Sequence, residues 1–183
     1  MSKKNESPVA ATKVITAKVR FSYLHVFEPT SIDESADKKY SVSLIIPKKD
    51  KATLAKIEAA IEAATEAGKG KWGGKIPAKL KLPLRDGDID RPEDPAYENC
   101  WFINASAKTK PGLVDADLNP IMKQDELYSG CYGRASINFY AYDAKGSKGV
   151  AAGLNNLQKL EDGDALGGRA SAESDFGSED DFI

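Results

Sequence analysis

A mainly β domain, built as a small antiparallel barrel with one inserted α-helix and followed by an acidic C-terminal tail, is the architecture this sequence predicts. Three observations carry it. Several stretches alternate apolar with polar residues, as strands with one buried face do. Only Asp50 to Ala67 carries its apolar residues at clear helical spacing, and sparse helices beside many strands favour an antiparallel sheet or barrel. After Glu161 the composition shifts to Gly, Ser, Ala and acid, which buries too little apolar surface to fold. The expected layout is a disordered arm over residues 1–12, one domain over 13–160 and a disordered acidic tail over 161–183.

The elements follow in chain order. From Lys13 to Phe27, residues Ile15, Ala17, Val19, Phe21, Tyr23 and Phe27 are assigned to one face, and Thr16, Lys18, Arg20 and Ser22 to the other. That pattern predicts one strand with a basic outer face. After a polar loop, Tyr40, Val42, Leu44 and Ile46 alternate with Lys39, Ser41 and Ser43 until Pro47 stops the second strand. Asp50 stands where a helix cap belongs, Leu54, Ile57, Ile61 and Ala64 form one apolar stripe, and Gly68 marks the end. The next stretch, GKGKWGGK, reads as a loose basic loop that carries a Trp. Tyr97–Ala107 is a strand that follows the acidic turn RDGDIDRPEDP. Arg134–Tyr142 alternates again, with Ala135, Ile137, Phe139 and Ala141 on one side, and Gly149–Gln158 is the last strand.

Composition narrows the function classes. With 41% hydrophobic and 30% charged residues, the chain reads as a soluble protein with one core. No apolar run approaches the roughly 18 residues that span a bilayer, and the start MSKKNESPVAATK lacks the apolar region of a secretory signal. No membrane partner is therefore expected. Cys100 and Cys131 have no partner at ligand spacing, so neither a metal site nor a disulfide framework is indicated, and a cytoplasmic setting is expected. The net charge of −2 hides a split. Residues 161–183 hold eight acids and one base, a charge of −7, and residues 1–160 carry +5. Such asymmetry suggests contact with nucleic acid or a charged surface.

Catalytic and metal motifs are weak. In DADLNPIMKQDE, Asp115, Asp117, Asn119 and Glu126 fall at calcium-loop spacing, but Pro120 stands where the sharp turn needs Gly. The acids of the RDGDIDRPEDP run read as a solvated turn. His25, the only histidine, lies mid-strand and is expected to be half-buried and structural. GKGKWGGK lacks the spacing of a phosphate loop, so no nucleotide cofactor is implied.

The positive signal is cations interleaved with aromatics, the combination that holds single strands through phosphates and stacked bases. Three places offer both. Lys69, Lys71, Trp72 and Lys75 share the Gly-rich loop, where an exposed Trp72 is expected. Lys108 and Lys110 follow the Trp101–Phe102 strand. Tyr128, Tyr132 and Arg134 lead to Tyr140 and Tyr142 on the outward face of their strand. Lys18 and Arg20 add a basic face on the first strand.

With YSGCYGRASINFYAYDAKGSKGVAAGLNNLQKLEDGD and this order of elements, residues 10–165 resemble the bacteriophage single-stranded DNA-binding proteins with an OB fold, including the class of the T7-type protein. The ending SEDDFI fits the resemblance, because such proteins often close on acids followed by an aromatic or apolar terminus. No Pro precedes the final residues here, unlike the bacterial version. The resemblance implies a non-catalytic protein that coats exposed strands in the cytoplasm of a phage's host, during replication, recombination and repair. It implies that Asp180, Asp181, Phe182 and Ile183 recruit replisome proteins such as polymerase, helicase or primase, and that homodimers form. It further implies a tail that lies on its own basic groove until DNA displaces it. Two alternatives remain open from the residues alone. One is an enzyme or processivity factor that uses DNA as a surface, and the other a structural protein with a solubilising tail.

Overall fold

The computed structural model describes residues 11–31 and 37–166. Eight strands are present among them: β1 (Lys13–Ile15), β2 (Val19–Thr30), β3 (Lys39–Pro47), β4 (Leu84–Asp86), β5 (Cys100–Ala107), β6 (Gly112–Val114), β7 (Tyr132–Ala144) and β8 (Ser147–Glu161). Helix α1 (Lys51–Ala67) and the single-turn α2 (Gly87–Asp90) both fall between β3 and β5. β2 pairs with β3, β3 with β5, β5 with β8, β8 with β7, and β7 returns to β2. The ring is therefore a closed five-stranded barrel, the architecture of an OB fold. Most pairs are antiparallel as expected, but β8 runs parallel to β5 and β6, because it reaches that side of the barrel by way of the β7–β8 hairpin.

The barrel interior is filled by alternate residues. Phe21, Leu44, Ile103, Ile137, Phe139 and Leu157 are all essentially inaccessible. Asp50 caps α1 by accepting from the Thr53 N–H at 3.2 Å, and the stripe of Leu54, Ile57, Ile61 and Ala64 is buried. Each large member of that stripe contributes about 1.5–3 kcal/mol by leaving water. At the β7–β8 turn, Lys145 and Gly146 both take positive φ (51° and 87°), as a two-residue hairpin turn requires.

Several expectations need correction. The first strand is two strands, and its phase reverses: Val14 and Thr16 are buried and Ile15 is 47% exposed, whereas Val19 and Phe21 point inward. A bulge between Ser22 and His25 shifts the phase again, so Tyr23 and His25 face solvent instead of the core. Thr12, placed in the N-terminal arm, is buried and its hydroxyl bonds Asn138 Oδ1 at 3.0 Å. Tyr97 does not begin a strand; it sits in a 3-10 turn and is fully buried. The last strand continues to Glu161, and residues 162–166, assigned to the tail, hydrogen-bond to the body.

Candidate nucleic-acid interface

The pairing register sorts β2, β3 and β5 into an inner and an outer face. Phe21–Leu44–Ile103 points inward. Three rows point outward: Arg20–Ile45–Phe102, then Ser22–Ser43–Asn104, then His25–Ser41–Ser106. The first row is not solvated. Ile45, Phe102 and Tyr97 form a second small core, against which Ala96, Cys100 and Leu166 pack. Tyr97 stands edge-on to Phe102 with ring centroids 5.0 Å apart, and its hydroxyl bonds Ser43 Oγ at 2.9 Å. Burial pushes the Tyr97 phenol up, so it stays protonated.

The segment that brings Tyr97 there is the acidic run, and it is a braced excursion instead of a solvated turn. Lys48 Nζ contacts Asp86 and Asp88, each at 2.8 Å, and Asp88 also accepts from the Asn99 N–H at 3.0 Å. The Lys48 ammonium, then the Asn99 amide, hold the Asp88 carboxyl below its ordinary value. Gly87 packs where a Cβ would collide with the Tyr97 carbonyl, so no larger residue fits. The excursion ends by laying Arg91 across three rings, 5.2 Å from Tyr23, 5.5 Å from Tyr97 and 5.4 Å from Phe102.

This ridge separates two clefts. The larger, about 630 Å³, is lined by His25, Thr30, Ser31, Asp37, Lys39, Ser41, Asn104, Ala105 and Ser106. Its side chains are mostly small and uncharged, and Lys39 and Asp37 supply one cation and one anion. Lys108 pairs loosely with Asp37 at 3.9 Å on this side. Lys110 sits 5.6 Å over the Phe27 ring. The smaller cleft, about 410 Å³, is lined by Lys18, Arg20, Lys49, Tyr132 and the apolar Ile45 and Pro47. Lys18 and Arg20 lie 5.9 and 5.3 Å from the Tyr132 ring.

The expected site residues therefore fall into groups. Lys108 and Lys110 stand at the end of the face that carries the larger cleft. Lys18, Arg20 and Tyr132 line the smaller one, but they are committed to the C-terminal segment: Lys18 pairs with Glu161 at 3.0 Å and Arg20 donates to the Asp164 carbonyl at 2.8 Å. Tyr128 is equally engaged, donating to Asp162 at 2.9 Å. Arg134 donates to the Thr16 carbonyl at 3.0 Å and holds the break between β1 and β2. Tyr140, 41% exposed, rests over Gly153, the register partner of Ser106. The expected mobile loop is absent. Residues Lys69–Trp72 form a 3-10 turn, Trp72 is buried, and its indole donates to the Tyr142 carbonyl at 3.0 Å. Lys71 donates to the Ala141 carbonyl at 3.0 Å, Lys69 pairs with Glu66 at 2.7 Å, and Lys75 is exposed. Asp180, Asp181, Phe182 and Ile183 lie outside the described residues.

Nothing here builds a nucleophile. Burial pushes the thiols of Cys100 and Cys131 up, which keeps them protonated and unreactive. Asp115, first of the calcium-like acids, caps its own turn by accepting from the Asp117 and Asn119 amides. The residues that pattern reading missed are Tyr23, Arg91, Asn104 and the Ser41–Ser106 pair. The outward phase of Asn104 and Ser106 was legible from Tyr97–Ala107, but the bulge at Tyr23 was not.

A closed five-stranded barrel whose outer face is polar, aromatic and partly cationic belongs to the OB-fold class of binding proteins. The chain belongs to the family of the Enterobacter phage Enc34 ssDNA-binding protein, whose model matches residues 12–183. It is 35% identical over 173 residues to protein p50 of Acyrthosiphon pisum secondary endosymbiont phage 1, covering 88% of this chain and 91% of that one. The single-stranded DNA-binding protein of bacteriophage Enc34, solved in complex with ssDNA, superposes with a TM-score of 0.77 at 27% identity, over 85% of this chain and 90% of that one. Gp2.5, the single-stranded DNA-binding protein of bacteriophage T7, shares the fold with a TM-score of 0.61 at 17% identity, over 93% and 97% of the two chains. The family is one of non-enzymatic binding proteins.

Proposed function

We propose that the protein binds single-stranded DNA along the outer face of β2, β3 and β5, without strict sequence preference, and so coats exposed strands in a phage's host cytoplasm. The observation that carries this is the cleft of about 630 Å³ along β2, β3 and β5, whose small side chains admit a base, which Lys39 lines, and whose Asp37 is paired by Lys108. The Enc34 relative bound to ssDNA supports the same reading. Replication, recombination and repair are the processes such a coat serves. The acids and apolar end of residues 173–183 are suited to recruit polymerase, helicase or primase, with Phe182 and Ile183 as the anchor.

Titration with oligo-dT at several salt concentrations tests the binding. If Z cations neutralise phosphates, log affinity falls with log salt at about −0.7Z. A salt-independent affinity, or binding confined to one sequence, contradicts the proposal. Removing residues 173–183 deletes five acids and no base, so it is expected to tighten binding at low salt and to abolish capture of a replisome protein.

A further inference from the structure

Tyr23 stands out in three independent ways. Its φ is +45°, a left-handed conformation that strains a residue with a Cβ and is seldom adopted outside Gly, Asn and Asp. It is 51% exposed, so burial of the ring cannot be what maintains the strain. One neighbour is cationic: the Arg91 guanidinium lies 5.2 Å from the ring centroid, within cation–π range. Strain that packing does not require is characteristic of ligand-contacting positions. The bulge that creates it lies between Ser22 and His25, so it lifts the Tyr23 ring out of the barrel wall next to the larger cleft, which His25 lines.

Arg91 is itself held. Its backbone N–H closes α2 on the Gly87 carbonyl at 2.9 Å, and its guanidinium rests against the buried rings of Tyr97 and Phe102 as well as Tyr23. A guanidinium stacked in this way has lost much of its rotamer freedom before any ligand arrives. We propose that Tyr23 is a base-stacking platform for the bound strand and that Arg91 is the positioning residue that backs its ring. The inference rests on the reading of the outer face of β2, β3 and β5 as the DNA-binding surface. It assigns the chemistry of recognition to the π-face of a nucleobase, which every base presents; the platform therefore contributes affinity without sequence choice.

The test is a set of full-length variants titrated with oligo-dT and melted in parallel. Tyr23→Asn removes the ring and accepts the positive φ. It is expected to lose affinity about tenfold, within the roughly five- to 150-fold that one stacked base represents. Its melting midpoint is expected to equal or exceed the parent's, because strain is relieved and little burial is lost. Tyr23→Phe is expected to retain parental affinity. Arg91→Gln is expected to lose part of the same affinity, and the double variant Tyr23→Asn, Arg91→Gln to bind no worse than Tyr23→Asn alone. Affinity within twofold of the parent for Tyr23→Asn overturns the proposal, as do additive losses in the double variant, which would make Arg91 a separate contact. A parent that fails to bind oligo-dT refutes the proposed function instead, so the two failures are distinguishable.

Discussion

Trp72→Ala is expected to melt the protein early while leaving its hold on DNA unchanged. Trp72 is 6% exposed, packs in the main core, and donates its indole N–H to the Tyr142 carbonyl at 3.0 Å. Truncating a buried Trp costs about 3–5 kcal/mol, and the lost hydrogen bond adds about 1 kcal/mol at most. That is a large share of the 5–15 kcal/mol that typically separates folded from unfolded domains. A change of 1 kcal/mol moves the midpoint by about 2–4 °C in a domain of this size, so the expected fall is roughly 6–24 °C. The assay pairs a melting curve by circular dichroism with an oligo-dT titration well below the variant's midpoint. The ring lies against the β7–β8 hairpin and not on the outer face of β2, β3 and β5, so the two quantities are expected to separate. A midpoint within about 2 °C of the parent together with a tenfold loss of affinity would refute this reasoning and restore Trp72 as a stacking residue.

Two further predictions concern how the proposed binding face is built. Tyr97→Phe deletes the hydroxyl bonded to Ser43 inside the small second core; urea denaturation is expected to show a loss of about 1–3 kcal/mol, since the Ser43 hydroxyl stays buried without that partner. Asp162 anchors the C-terminal segment, and the Lys159 ammonium, then the Tyr128 hydroxyl, hold its carboxyl below the ordinary range. A depressed carboxyl contributes its stabilisation above the unfolded value and loses it as pH falls through its own lower value. The Leu166 amide, bonded to the Ser129 carbonyl, is therefore expected to stay protected from hydrogen exchange down to about pH 4 and to lose protection below that, after correction for intrinsic rates. Asp162→Asn is expected to lose that protection already at neutral pH.

Local periodicity made some of the fold legible. The helix from Asp50 to Gly68 was readable because cap, stripe and stop all lie within one segment and agree. β7 was readable because Ala135 to Ala141 alternate without interruption. The first strand was misread because period two has no memory of a bulge: one extra residue between Ser22 and His25 turned Tyr23 from core to surface. Tyr23 and Trp72 thus exchanged their expected places. Trp72 looked solvated amid glycines and lysines, but its partner, the Tyr142 carbonyl, is 70 residues away and invisible to a local pattern. Cations suffered similarly. Lys18, Arg20 and Lys71 look free in sequence, yet each is engaged by an acid or a carbonyl that only folding brings near. The acidic run around Asp86 and Asp88 read as solvent-facing because its counter-ion, Lys48, belongs to the other end of a long excursion.

The central claim is that DNA lies on the outer face of β2, β3 and β5, and backbone amide chemical shifts during titration with oligo-dT test it most directly. The shifts are expected to cluster at Tyr23, His25, Ser41, Arg91, Asn104 and Ser106, with α1 and Lys69–Trp72 nearly silent. Shifts concentrated on Lys69, Lys71 and Trp72, with that outer face undisturbed, would contradict the account.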